Sequence, residues 1–214
     1  MDIVQHVKTS ILNAEQEISK LCPEILKYQG YSGTRTRHFY NNICSLENAS
    51  YLEIGTWYGS SSISALYKNT LNATFVDNWS QFNGDRTILD NAILKYNTGS
   101  KVTVLETDCW AIDVATLPKF DIYLYDGGHT YKDHYDAIAK FIHCLKPNCI
   151  VMVDDWNWDD IRNGTMDAFR DLGVKFLFQH EIRVPPEDLE GMPKHNGKDT
   201  WWNGIGIFVL DKST

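Results

Sequence analysis

From residue 51 onward the chain repeats one unit: a short apolar or β-branched run, a turn, and a longer amphipathic stretch. That alternation constrains the fold more than any other feature. A strand that returns parallel to its neighbour needs a crossover of a dozen or more residues, which a helix supplies. The candidate strands are YLEIG, ATFVD, KVTVLE, DIYLYD and CIVMVDD, with helices expected at 60–69, 84–96, 130–145 and 158–172. In the third of these, Tyr131, Tyr135, Ile138, Phe141, Ile142 and Leu145 recur at helical spacing. VKFLFQH and GIGIFVL follow with no comparable helix between them, so the end of the sheet is expected to be antiparallel. The expectation is an α/β protein with a seven-stranded, mostly parallel sheet, helices on both faces and an antiparallel last strand.

A chain of 214 residues, 43% of them hydrophobic, can bury one substantial core, so residues 1–214 are read as a single domain. Residues 2–28 look helical, and GYSGTRTRHFYNNIC leads into a short helical stretch. Together they make an expected N-terminal cap over 1–50, with 51–214 as the core. The segment EIRVPPEDLEGMPKHNGKDTWWN holds three of the six prolines and reads as a long loop near 183–203, expected to act as a lid. A net charge of −8 with no Lys/Arg block argues against nucleic acid as a partner. No stretch reaches the ~18 apolar residues of a membrane span, and the N-terminus lacks a secretory pattern, so a cytoplasmic protein is expected. Cys22, Cys44, Cys109, Cys144 and Cys149 lack paired spacing and read as reduced thiols.

The chemistry-bearing residues cluster at strand ends. YLEIGTWYGSSSISAL joins a strand ending Glu53-Ile54-Gly55 to a loop with Thr56 and Gly59 and a helix starting near Ser60 or Ser61. Glycine there lets a ligand approach the backbone, and free N–H groups attract an anion. The GxxxG spacing differs from the GxGxxG of dinucleotide sites, whose additional glycine makes room for a pyrophosphate. Asp77, followed by Asn78, ends the next strand and suits the two hydroxyls of a ribose, or else caps a turn. Asp108, with Cys109 and Trp110, follows a third strand. It suits an adenine amino group with a thiol or ring over its face, or again an ordinary turn. Three such residues at successive strand ends fall where open α/β sheets bind ligands.

The run LEIGTWYGSSS, followed by VDNWS, ETDCW, YLYDGGHTYKDHYDAI and VMVDDWNW, resembles the class I S-adenosylmethionine-dependent methyltransferases of Rossmann-like fold. In particular it resembles the metal-dependent sugar O-methyltransferases of the macrocin type, over about residues 30–160. The resemblance implies S-adenosyl-L-methionine as cofactor, held by Glu53, Gly55, Thr56, Gly59, Ser61, Asp77, Asn78, Asp108, Cys109, Trp110 and Asp126. It also implies Mg2+ or Mn2+ at Asp126, Asp154 and Asp155, with one of the doublet alternatively capping the next helix. Three carboxylates brought together repel unless a cation neutralises them. In the family an acidic residue stands two positions after the first metal aspartate. Here that position is Gly128 and His129 follows. His129 and Asp126 are therefore the candidate catalytic residues, His129 as base or, alternatively, as a structural partner of the cofactor.

Other polar residues carry weaker expectations. His134 and Asp133 are read as a solvated helix face; His38, Arg35 and Arg37 either close the cap or grip a substrate. Trp156, Trp158, Trp201 and Trp202 are read as ring-stacking candidates or core. The function expected is metal-assisted O-methylation of a sugar, glycan or other small acceptor, with homo-oligomerisation left open. The alternatives are a non-catalytic S-adenosylmethionine-binding module and a nicotinamide-dependent oxidoreductase.

Overall fold

The computed structural model describes residues 2–184 and 201–213. Seven strands form one sheet: β1 (Ala49–Ile54), β2 (Leu71–Asp77), β3 (Lys101–Glu106), β4 (Phe120–Tyr125), β5 (Leu145–Asp154), β6 (Lys175–Ile182) and β7 (Ile205–Asp211). Their order is β3-β2-β1-β4-β5-β7-β6, and only β7 runs against the rest, paired antiparallel to both β5 and β6. The expected architecture is therefore present. The antiparallel strand, however, is inserted inside the sheet and does not hang at its edge. The order reverses direction between β1 and β4, which puts the crevice at the carboxyl ends of these strands.

Helices α1 (Ile3–Glu15), α2 (Pro23–Leu26), α3 (Thr34–Ile43), α4 (Ser60–Leu66), α5 (Arg86–Tyr96), α6 (Tyr131–Phe141) and α7 (Asp159–Asp171) cover both faces. One face buries Tyr51, Ile63, Phe75 and Ile207 together with Val7, Ile25, Phe39 and Ile43 from the first 50 residues. Each such side chain contributes ~1.5–3 kcal/mol on burial, so the N-terminal helices are an integral part of that core. The opposite face packs Leu52, Tyr123, Val151 and Phe208 against Ile138 and Phe141 of α6 and Phe169 of α7.

Several boundaries move for local reasons. The helical reading of 2–28 breaks at Glu15, where Glu17 takes a left-handed backbone (φ 56°), and resumes at Pro23, whose fixed φ suits a first helical turn. The helix expected at 60–69 stops at Leu66, because Tyr67 turns extended and Lys68 goes left-handed. The one expected over 130–145 ends at Phe141, continues as a 3-10 turn through Cys144, and hands Leu145 to β5, so Leu145 belongs to the sheet. Of the expected lid at 183–203, residues 185–200 lie outside the described residues. Its two described ends are tied to Asn157, which donates to the Val184 carbonyl (2.7 Å) and accepts from the Val184 N–H (2.9 Å), while its own N–H donates to the Asn203 carbonyl (2.9 Å).

Candidate functional site

A cavity of about 490 Å3 opens at the carboxyl ends of β1–β5. At its first end, β1 leads into Gly55, whose φ of +89° and close approach to β4 leave no room for a side chain. A Cβ there would lie 1.8 Å from the Asp126 carbonyl oxygen. Asp77, at the end of β2, accepts the N–H of Trp57 (2.8 Å) with one oxygen and that of Trp79 (2.7 Å) with the other. It thereby pins the loop after β1 to the loop after β2, and the Trp79 indole N–H adds a bond to the Trp57 carbonyl (2.8 Å). Asp108 caps a short turn through the Trp110 N–H (2.9 Å). Thr56, Ser61, Asn78, Cys109 and Trp110 all line the same end. Burial pushes the Cys109 thiol up to about 12, so it faces the cavity as a neutral, apolar group.

Two of the residues expected there are elsewhere. Glu53 is 0% exposed and does not line the cavity. Its side chain accepts from the hydroxyls of Tyr51 (2.7 Å), Ser61 (2.6 Å) and Ser62 (2.7 Å), and so anchors the start of α4 to β1 from behind. Burial raises its carboxyl above the ordinary range even with these three donors. Gly59 is the N-cap of α4 and also lies off the cavity wall.

At the second end Asp126, Asp154 and Asp155 converge from β4 and β5, as neighbouring parallel strands allow. Burial raises the Asp126 carboxyl well above its ordinary value, and the charges of Asp154 and Asp155 add to the effect. Asp154 is raised as well, by burial and then by Asp155. Asp155 holds a left-handed backbone (φ 55°), accepts from the Asn203 amide (2.9 Å) and lies 3.0 Å from His129 Nε2. One ligand atom from each of Asp126, His129 and Asp155 falls within 4.8 Å of the others. Asp154, 3% exposed, adjoins them with Oδ1 buried and unpartnered. An orphaned carboxylate oxygen beside three converging donors is a chemical fit for a hard divalent cation.

Gly128 acquires a structural reason. A Cβ at this position would lie 2.6 Å from Asp133 Oδ2, the oxygen that accepts the Thr130 hydroxyl (2.6 Å) and closes a capping box at the start of α6. Asp133 is thus a half-buried capping residue that also lines the cavity, whereas His134 is 2% exposed and does not belong to the solvated face expected for the pair. His134 meets the Tyr125 ring edge-on at 4.9 Å, and burial lowers its imidazole to about 4.

Aromatic side chains with no expected role roof the cavity. Tyr31 and Tyr40 come from the first 50 residues, Trp57 and Phe82 from the loops after β1 and β2, and all four line the cavity. Tyr31 stacks on Trp57 (centroids 4.6 Å apart) and approaches Trp202 (6.1 Å). Trp57, Phe82 and Trp202 all hold left-handed backbones, a local strain typical of residues placed for a ligand. The Tyr40 hydroxyl is buried and unpartnered, and burial together with Asp154 and Asp126 keeps it neutral. Of the four tryptophans singled out above, Trp158 and Trp202 line the cavity, Trp158 edge-on to His129 at 5.2 Å. Trp156 and Trp201 are core, bonded to Glu181 (2.9 Å) and Glu15 (2.8 Å). Arg37 closes the cap, donating to the carbonyls of Ile25 (2.9 Å) and Tyr28 (2.7 Å); His38 pairs with Ser19 (2.7 Å) and Arg35 with Glu15 (3.2 Å).

Residues 52–156, just under half of the chain, match the family described as a methyltransferase domain. No curated protein gives a match. Among solved structures, the O-methyltransferase TomG from Streptomyces achromogenes, involved in tomaymycin synthesis and solved with S-adenosylmethionine, aligns with a TM-score of 0.60 at 12% identity over 99% of both chains. A provisionally assigned O-methyltransferase from Klebsiella pneumoniae aligns with a TM-score of 0.55 at 14% identity, over 99% of this chain and 90% of that one. A provisionally assigned S-adenosylmethionine-dependent methyltransferase from Streptococcus mutans aligns with a TM-score of 0.57 at 12% identity; the match takes in 83% of this chain but only 48% of that longer one. At these identities the likeness is one of fold. No helix among the described residues is long and apolar enough to cross a membrane.

Proposed function

Taking as premise that the chain has the class I S-adenosylmethionine-dependent methyltransferase fold, we propose that it transfers the methyl group of S-adenosylmethionine to a hydroxyl oxygen of a small acceptor, a sugar or glycan ring. The observation that carries this reading is the cavity's two-part construction. Gly55, Asp77 and Asp108 shape one end for a nucleoside, and Asp126, His129 and Asp155 converge at the other beside the unpartnered Asp154 Oδ1. Asp126, Asp154 and Asp155 would hold Mg2+ or Mn2+, which when bound makes a coordinated hydroxyl more acidic and spreads the carboxylates' charge.

The chain's own residues then supply position and proton removal. Asp77 keeps the loop after β1 in place, so that the donor lies along the crevice with its methyl group toward Asp126. The acceptor oxygen forms its bond to the methyl carbon as the carbon–sulfur bond breaks, and S-adenosylhomocysteine leaves. Its proton passes to His129. Asp155, 3.0 Å from Nε2, orients the ring so that Nδ1 is the accepting atom. Trp158 and the aromatic roof restrict water and hold the acceptor ring.

Calorimetric titration with S-adenosylmethionine and with NAD, each with and without Mg2+, tests this. Binding of S-adenosylmethionine alone is expected, and loss of methyl transfer in excess chelator with recovery on Mg2+ or Mn2+. Binding of NAD in its place, or full transfer in chelator, would remove the donor or the metal from the proposal.

A further inference from the structure

We infer that the acceptor is an uncharged or ammonium-bearing hydroxylated ring, and that phosphorylated, carboxylated and nucleotide-linked acceptors are excluded. The inference rests on the methyltransferase reading and narrows its substrate class. Six aspartates line the cavity, Asp77, Asp108, Asp126, Asp133, Asp154 and Asp155, against a single histidine, and no Lys or Arg is among its described lining residues. A donor with one net positive charge and a divalent cation together cancel half of the six. What remains is negative, and a proton shared within the doublet would not reverse it. Sites that take phosphate or carboxylate answer it with an arginine fork, a lysine, a row of free N–H groups or a bound divalent cation, and here the charge of one such cation is already met by Asp126 and the doublet. Three arginines of the adjoining elements are committed elsewhere: Arg37 to backbone carbonyls, Arg35 to Glu15 and Arg162 to the Trp156 carbonyl (2.7 Å).

A second observation points to a ligand independently of charge. The Tyr40 hydroxyl (1% exposed) and Asp154 Oδ1 are both buried, unpartnered and on cavity-lining residues. The carboxylate oxygen accepts from hydroxyl or ammonium hydrogens and repels an anion, and the neutral phenol can exchange a hydrogen bond with a hydroxyl. The rings nearest that end, Trp158 and Trp202 with Tyr31 against it, offer π faces that attract a cation or the C–H face of a sugar. Both walls of the cavity therefore select in the same direction.

Nitrophenyl glucoside, glucosaminide and glucuronide, with a phosphorylated glucoside, supply matched neutral, cationic and anionic probes. Binding to the full chain loaded with S-adenosylhomocysteine and Mn2+ is read by calorimetry, and turnover with S-adenosylmethionine by release of S-adenosylhomocysteine. The expected result is at least ~10-fold tighter binding of the neutral and ammonium-bearing probes than of the anionic ones. That gap should narrow at high salt, where screening shortens the reach of the carboxylates. Gln81→Lys, which places a cation on the cavity wall, should shift the preference toward the anionic probes. Anionic probes that bind equally or better would overturn the inference, and so would donor binding without any binding of the neutral and ammonium-bearing probes. A chain that fails to bind the donor at all would overturn the methyltransferase reading itself, a distinguishable failure.

Discussion

The two ends of the cavity are built on opposite principles. Around Gly55, Asp77 and Asp108 the carboxylates already have partners within the chain, although Thr56 Oγ1 does not: Asp77 accepts two backbone N–H groups, Asp108 caps a turn, and Glu53 behind them accepts three hydroxyls. Around Asp126, Asp154 Oδ1 and the Tyr40 hydroxyl are buried without partners, and the carboxyls of Asp126 and Asp154 are raised by burial and by their acidic neighbours. The first end is a finished mould whose shape persists when empty. The second is stored electrostatic tension that an added cation or acceptor relieves.

The contrast predicts the largest effect at Asp126. Asp126→Asn should lower single-turnover methyl transfer by about 10³-fold or more, and should leave the ligand-free protein at least as stable, because it removes a buried like charge. A fall in thermal midpoint alongside the loss of activity would mean that the carboxylates hold the fold together and would undo the contrast. At the finished end the opposite holds. Gly55→Ala forces a Cβ against the Asp126 carbonyl at positive φ, and should cost roughly 3 kcal/mol or more by denaturant titration, with the cofactor pocket lost as a consequence.

Proton linkage separates the two regions further. His134 has an imidazole lowered from 6.5 to about 4, so its contribution is intact above the ordinary value and lost as pH falls from 6.5 toward 4, by up to roughly 3 kcal/mol. Asp126 and Asp154 are raised, so their effect has the reverse sign: stability is full at low pH and declines as pH rises through their elevated values. His134→Leu should flatten the acid limb and Mg2+ the alkaline one, both read as thermal midpoint against pH; an acid limb unchanged by His134→Leu would assign it to other groups. The smallest effect is at Asp77. Asp77→Ala frees the Trp57 and Trp79 N–H groups and should weaken S-adenosylmethionine binding by about 10–100-fold with the global fold retained. Unchanged affinity would show that the loop keeps its shape without this carboxylate.

Strand ends were legible because the two-residue period and the glycine and aspartate punctuation are local properties, and Asp77, Asp108, Asp126 and the doublet stand where that reading puts them. Glu53 was misjudged by parity. It shares a sheet face with Tyr51, under α4, while Ile54 beside it reaches the cavity. His134 was legible and overlooked, since it lies four residues before Ile138 and seven before Phe141 on the apolar stripe of α6. Tyr31 and Tyr40 were not legible at all. They reach the cavity through packing of the N-terminal helices on the sheet, and no periodicity within their own segment announces that.

The placement of β7 between β5 and β6 has a consequence in time. The two outer strands cannot pair with each other, so that side of the sheet stays open until the latest strand in the chain slots between them, closing contacts as distant in sequence as Lys175 with Asp211 and Asn148 with Asp211. Asn203, which holds Asp155, and Trp202, which abuts Tyr31, arrive with the same strand. The acidic doublet therefore takes its final geometry only when residues 203–211 have joined the sheet.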